Sequence, residues 1–149
     1  EFENGFLTWE KNKIFGGGLR AFYWHCSENR VYYFNKYNQK RSLGGESCNS
    51  HPHNYYLESL AEIGLIGFLI IVTALFSILK SSINFFLTSE GKFIKSLFLP
   101  YFIIFVVEIF PFKTTGSLFT TTNSTFLFLI IAFIISFFDL IKEKKYYER

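Results

Sequence analysis

The chain has 149 residues, of which 50% are hydrophobic, 21% are aromatic and only 18% are charged. This composition excludes a disordered chain and departs from an ordinary soluble domain, in which about 25% of residues are charged. The net charge is +3, and the excess lies wholly in residues 63–149, where Lys and Arg are scattered between apolar runs. A nucleic-acid-binding protein gathers its cations into one patch, so we expect no nucleic-acid partner. The sequence contains no Met, and we expect it to be the C-terminal piece of a longer protein.

Residues 1–53 are predicted to form a loop outside the membrane that contains both cysteines, Cys26 and Cys48. An oxidising compartment favours a disulfide between them. The alternatives are free thiols or a metal site in which His25, His51 and His53 join the cysteines, although the spacing matches no recognised zinc motif. We expect no metal and no cofactor.

Two further features of this loop are readable. Residues 14–20 contain a Gly run, which we interpret as flexible and which lacks the pattern of a phosphate-binding loop. Residues 31–34 fit either a short strand or an amphipathic surface segment, and their aromatic content suits a membrane interface.

Three apolar stretches follow, and they predict an all-α membrane protein with three transmembrane helices and an outer N-terminal segment of about 60 residues, as part of a larger polytopic bundle. Buried helices of a large soluble protein are the alternative, but they would be amphipathic, whereas residues 68–72 and 126–138 are apolar on every face. The predicted membrane spans are residues 54–79, 96–112 and 125–141. An inner loop at 80–95 and an outer loop at 113–124 connect them, and a tail at 142–149 follows.

The basic residues predict the orientation. All but one of the Lys and Arg residues after position 62 lie in or beside the 80–95 loop or in the C-terminal tail, and the exception is Lys113. By the positive-inside rule that side is cytoplasmic, which places residues 1–53 and the loop around Lys113 outside. Glu108 lies within an apolar run, and we expect it to face a partner or a cavity, because a lipid-facing carboxylate costs about 2.5–3.5 kcal/mol.

The segment around His53 carries the chemistry. Pro52 suits the first turn of a helix, which would put His53 at the outer N-terminus of the first membrane helix. At about 100° per residue, Gly64 and Gly67 fall on the same face as His53, and small residues there let a neighbouring helix approach. A helix N-terminus also favours an anion such as a phosphate. A capping or interfacial His beside packing glycines is the competing interpretation.

His53-Asn54, nine residues, and then Gly64-x-x-Gly67 resemble the histidine motif of the O-antigen ligase and polymerase family of membrane glycosyltransferases. The Gly run at 14–19 and the segment 111–117 resemble the same family. The resemblance implies a bacterial inner-membrane enzyme that transfers a glycan, on the periplasmic face, from an undecaprenyl diphosphate donor. The acceptor would be the lipid A–core oligosaccharide or a second lipid-linked glycan, and membrane lipids would surround the protein.

Such a transfer needs a base near the acceptor hydroxyl and positive charge near the diphosphate. His53 is the candidate base, and His51 is its rival or a neighbour that orients Asn54. We expect the substrate to be bound by five residues: Arg20, Arg41, Lys113, His51 and Asn54. Solvated or lipid-headgroup roles for the three cations remain equally open, and Gly64, Gly67, Cys26 and Cys48 are expected to be structural.

Two other classes of function are compatible with the sequence. A transporter or flippase segment for lipid-linked sugars would also use an aromatic outer loop and an intramembrane Glu. A non-catalytic assembly subunit would leave the histidine segment without a purpose. Joining of donor and acceptor without any gradient would distinguish an enzyme from a transporter.

Overall fold

The computed structural model describes residues 2–37, 49–88, 91–114 and 116–147, with side chains as far as residue 29 in the second helix and residue 140 in the fifth. Within these ranges all regular structure is helical, in five helices: α1 Phe2–Lys11, α2 Ala21–Tyr37, α3 Tyr55–Thr88, α4 Lys92–Glu108 and α5 Thr121–Tyr147. The all-α prediction is therefore confirmed for the described residues, and the strand alternative for residues 31–34 is wrong because they belong to α2.

The described residues contain two helices, not three, that are long and apolar enough to cross a membrane, namely Tyr55–Thr88 and the Thr121–Leu140 part of α5. Only 17% and 22% of their most apolar windows are buried among the described residues. Most of their apolar side chains therefore need a further apolar environment, such as lipid. This pattern is typical of a membrane protein.

The predicted span 96–112 corresponds to α4, which begins four residues earlier and ends four residues earlier than expected. Proline explains the early end: Pro111 has no N–H, and its ring would clash with the carbonyl of Val107 if the helix continued. At the other end Gly91 is the N-cap of α4. The resulting helix has 17 residues and also contains Pro100, which is short for a span.

The helix that contains the first predicted span is longer than that span. The prediction ends it at Leu79, before Lys80, but α3 continues to Thr88. A charged residue marks the end of an apolar stretch, not the end of a helix, and Lys, Ser and Asn are tolerated in helices. The first nine residues of the predicted inner loop are therefore helical.

The chain divides into two compact units, and the first comprises residues 1–71 and 114–119. In this unit a buried polar contact joins α1 to α2: the side-chain amide of Asn29 donates to Thr8 Oγ1 at 3.0 Å and to Asn4 Oδ1 at 2.7 Å. Gly5 lies directly against Leu57 at the start of α3, where a Cβ would come within 2.6 Å of the Leu side chain. Phe22 of α2 is also buried in this unit.

A break in α3 is the main irregularity of the first unit. Gly64 has φ 67° and ψ −170° inside the helix, a conformation that essentially only glycine adopts. The backbone groups that the break releases are bound by residues 12–20, which we call the glycine loop. The N–H groups of Leu65 and Ile66 donate to the carbonyls of Lys13 and Ile14, at 2.9 and 3.3 Å.

The glycine loop also donates to the other side of the break. The N–H groups of Gly17 and Gly18 donate to the carbonyls of Ala61 and Glu62, both at 2.9 Å. Gly16 is so close to Gly64 that a Cβ on either residue would collide with backbone atoms of the other segment. The Gly run is therefore held in place by α3, which the interpretation as a flexible run did not anticipate.

The second unit comprises residues 72–113 and 120–149 and has an aromatic core. Phe85 of α3 lies 4.6 Å from Phe98 of α4, measured between ring centroids, and Phe98 lies 5.6 Å from Phe137 of α5. Tyr101 and Phe133 also meet across α4 and α5, at 5.0 Å. Offset aromatic pairs at these distances stabilise packing beyond the area they bury, so the high Phe content builds the core of this unit.

Candidate functional site

Asn54 begins α3 as its N-cap. Its side-chain oxygen accepts the backbone N–H groups of Tyr56 and Leu57, at 3.1 and 3.0 Å, and its carbonyl accepts the N–H of Glu58 at 2.9 Å. Asn is among the best N-cap residues because it satisfies N–H groups that lack a partner in the helix. Asn54 is buried, and its amide oxygen is used by the helix.

His53 immediately precedes this cap and has φ 53°, a left-handed conformation that is uncommon for residues other than Gly. Its ring packs edge-on against that of His51, with 4.3 Å between centroids, and His51 Nδ1 lies 2.9 Å from Ser50 Oγ. Pro52 lies between the two histidines and is buried, outside the helix. The prediction that Pro52 occupies the first turn of the helix is therefore wrong, although His53 does lie at the helix N-terminus.

The expected alignment of His53 with Gly64 and Gly67 along one helix face does not hold. The rotation of about 100° per residue applies only within a regular helix, and His53 precedes α3 while Gly64 interrupts it. Gly64 has the special role of making the break, and a Cβ on Gly67 would meet the Ile63 side chain of its own helix.

Glu58, in the first turn of α3, makes the contact that sequence analysis missed. It is 1% exposed, and its carboxylate accepts the backbone N–H of Leu118 at 2.6 Å and a hydrogen bond from the Ser117 side chain. The connection between α4 and α5 is thereby bound one turn from His53. A carboxylate in an apolar helix was the available signal, because such a group requires partners.

Glu62 lies one turn further along α3 and joins it to Arg20. The Glu62 carboxylate accepts the backbone N–H of Arg20, and Glu62 is buried. Arg20 itself has φ 65° and precedes α2, with its side chain exposed to the surroundings. Of the three cations proposed for the diphosphate, Arg20 is the one that the described contacts connect to the helix that His53 precedes.

The other two cations have different surroundings. Lys113 forms an ion pair with Glu108, whose side chain is 10% exposed, and this pair belongs to the second unit. The expectation that Glu108 faces a partner is thus confirmed, and the partner is Lys113. Arg41 lies outside the described residues.

Cys26 is buried in α2 and is disulfide-bonded. Its predicted partner Cys48 lies outside the described residues, so the Cys26–Cys48 pairing stays a prediction. Within residues 2–37, 49–88, 91–114 and 116–147, no three His, Cys, Asp or Glu side chains are grouped in a way that would hold a metal ion.

Lys11 of α1 and His25 and Glu28 of α2 form a polar cluster. Glu28 accepts a hydrogen bond from Lys11 Nζ at 2.7 Å and lies 3.1 Å from His25 Nδ1. These hydrogen bonds, with Lys11 the larger cause, lower the pKa of the Glu28 carboxyl below its ordinary value. The cluster is exposed, so it contributes a solvated face between the two helices.

The arrangement at the start of α3 therefore combines an imidazole, a helix N-terminus and two bound segments distant in sequence. Imidazole is a common general base in enzymes. Asn54 binds the N–H groups of Tyr56 and Leu57, and the helix dipole favours negative charge near this N-terminus. The glycine loop and the α4–α5 connection are attached to the first three turns of α3 by hydrogen bonds to their backbone. This geometry suits a site that binds an anionic group beside a base.

Comparison with known proteins addresses the family. No curated protein and no solved structure matches the chain significantly. The family model described as O-antigen ligase matches residues 2–72, a segment that contains the glycine loop, His51, His53 and the break at Gly64. The resemblance found in the sequence is thus confirmed over residues 2–72, which are similar to the O-antigen ligase family.

Proposed function

We propose that the protein is a membrane glycosyltransferase of the O-antigen ligase or polymerase type, with His53 at its active site. The family match over residues 2–72 carries this proposal, and the family implies a lipid-linked glycan as substrate. More specifically, the donor is a glycan on undecaprenyl diphosphate at the periplasmic face of the inner membrane. The acceptor is a lipid A–core oligosaccharide or a second lipid-linked glycan.

The reaction is a displacement at the anomeric carbon of the donor. The acceptor hydroxyl oxygen forms the new glycosidic bond, the bond from the anomeric carbon to the diphosphate oxygen breaks, and the electron pair leaves with the lipid diphosphate. His53 accepts the proton of the acceptor hydroxyl, because a neutral imidazole is an effective base near neutral pH. His51 packs against the His53 ring at 4.3 Å and restricts its orientation.

Arg20 is our candidate for binding the diphosphate. Arg20 is exposed, and its backbone is attached to α3 through Glu62, two turns after the Asn54 cap. An Arg fork matches phosphate oxygens in a bidentate way. Lys113 is less suited, because a diphosphate would have to compete with Glu108 for its charge.

Glu58 has a positioning role in this proposal. By binding Ser117 and Leu118 it holds the α4–α5 connection against the first turn of α3. A segment fixed there restricts where the acceptor enters, and orientation of two reactants accounts for much of enzymatic rate enhancement.

The transporter alternative has one supporting observation, the interrupted helix α3, since broken helices form the ligand sites of many transporters. In those proteins the released backbone groups bind the ligand. Here the glycine loop binds two N–H groups and two carbonyls at the break, which favours a structural use of the interruption.

The test uses membranes that contain the full protein, supplied with a lipid diphosphate-linked glycan and an acceptor and without an ion gradient. We expect His53→Ala to abolish glycan transfer while the protein still inserts into the membrane. The chain has three histidines, so His25→Ala is the matched control and should retain activity. Full transfer by the His53→Ala protein would refute the assignment of the base, and movement of the donor across the membrane without transfer would establish the transporter alternative.

A further inference from the structure

We infer that the glycine loop enters the bilayer, so that Ile14, Phe15 and Leu19 contact lipid acyl chains beside the outer part of α3. This is a membrane-binding surface within the segment that the sequence places wholly outside the membrane. It is independent of the reaction proposed above, because it concerns where the loop lies and not what the active site does.

The first argument is depth. The charge-free run of α3 begins at Ile63 and has 17 residues, whereas a spanning helix needs about 20 predominantly apolar residues. If α3 crosses the membrane with Lys80 at its inner boundary, the first turn of this run therefore lies at the outer edge of the hydrocarbon. Leu65 and Ile66 belong to that turn, and the carbonyls of Lys13 and Ile14 are hydrogen-bonded to their N–H groups, at 2.9 and 3.3 Å. The glycine loop is thus at the same depth.

The second argument is exposure. Ile14, Phe15 and Leu19 are 58%, 75% and 69% exposed, so none of the described residues covers these side chains. The α3 residues beside them, Leu65 and Ile66, are 43% and 47% exposed. Large apolar residues exposed next to one another indicate an interaction surface. Because this surface continues that of a membrane-spanning helix, its occupant is lipid.

The third argument is that the polar backbone groups where the loop meets α3 are hydrogen-bonded within the protein. Irregular backbone is tolerated at membrane depth only where its polar groups are satisfied within the protein. The four hydrogen bonds between the glycine loop and α3 satisfy the groups released at Gly64. Gly64 itself is buried.

The loop also has the residues of a membrane interface at its start. Trp9 Nε1 donates to the carbonyl of Lys13 at 2.9 Å, and Lys13 Nζ lies 5.7 Å from the centroid of the Trp9 ring. Trp is enriched at the headgroup level, where its apolar ring and polar N–H have suitable surroundings. A Lys side chain at the same level extends its ammonium toward water.

The inference is tested with variants of the full protein in which one introduced cysteine carries an environment-sensitive fluorophore, reconstituted in phosphatidylcholine vesicles. Phe15→Cys is the test position, Leu69→Cys in α3 is the membrane reference, and Glu10→Cys on the exposed face of α1 is the aqueous reference. Protein without an introduced cysteine measures background labelling, which should be low because the described part of the chain contains no free cysteine.

Phosphatidylcholine brominated on its acyl chains should quench the Phe15 and Leu69 labels to the same extent and leave the Glu10 label bright. Aqueous iodide should quench only the Glu10 label. If the Phe15 label instead responds like Glu10 while Leu69 responds to brominated lipid, the loop lies outside the bilayer and the inference is wrong. If neither Phe15 nor Leu69 responds to brominated lipid, α3 does not cross the membrane and the inference fails with it.

Discussion

Replacement of Gly64 by alanine tests the break in α3 directly. The backbone at Gly64 has φ 67° and ψ −170°, and holding a residue with a Cβ in such a conformation costs about 1–3 kcal/mol. The new methyl group would also meet Gly16 N and the carbonyl of Ile14. Backbone atoms cannot rotate away as the end of a side chain does, so the glycine loop has to move.

Displacement of the loop disrupts at least the two nearest hydrogen bonds, from Leu65 N–H to Lys13 and from Ile66 N–H to Ile14. At about 0.5–1.5 kcal/mol each, these add about 1–3 kcal/mol. We therefore expect Gly64→Ala to lower the free energy of unfolding by about 2–6 kcal/mol. The measurement is reversible unfolding in detergent micelles, combined with hydrogen exchange at Leu65 and Ile66, whose amides should lose protection.

Two control glycines separate the causes. Gly18 has φ 87° but nothing within 4 Å of the position that a Cβ would occupy, so Gly18→Ala should show only the backbone strain, about 1–2 kcal/mol. Gly91 has φ −74° and only ordinary contacts, so Gly91→Ala should cost less than about 1 kcal/mol. If Gly64→Ala is as stable as Gly91→Ala and keeps its amides protected, the interlocked glycines do not hold the break.

Three further outcomes are expected. Glu58→Ala removes the acceptor of the Leu118 N–H, so the free energy of unfolding should fall by about 1–3 kcal/mol and the Leu118 amide should exchange faster. The pKa of Glu28 is lowered in the folded protein, so its stabilising contribution is present above the ordinary Glu pKa and is lost as the pH falls through the pKa of the folded state. The difference in the free energy of unfolding between wild type and Glu28→Gln should therefore vanish in acid. A difference that stays constant with pH would contradict this. Lys113→Met leaves the buried Glu108 carboxylate without its ion-pair partner and should destabilise the protein by about 1–3 kcal/mol, whereas adding Glu108→Gln should restore most of the loss in a double-mutant cycle.

The sequence alone was sufficient for features that depend on neighbouring residues. Apolar runs long enough to cross a membrane predict helices, because backbone groups in lipid must be satisfied within the segment, and two of the three runs meet that criterion in the structure. The start of α3 was also readable, since His53-Asn54 before an apolar run places a good N-cap residue there. The ends of helices were less readable: Lys80 suggested an end that the helix does not have, and Pro111 was included in a helix that it terminates.

Only the tertiary structure revealed the contacts that assemble the candidate site. Gly64 interrupts α3 because the glycine loop, far away in sequence, supplies hydrogen bonds to the broken turn. Glu58 binds the N–H of Leu118, which is 60 residues away. The hydrophobic periodicity of the sequence does not predict such pairings. A carboxylate or a glycine in a helix has the same local sequence pattern whether or not a distant segment binds it. The sequence by itself determined that this chain is largely helical and apolar and that His53 directly precedes a helix, and the folded chain decided which distant backbone groups are bound to that helix.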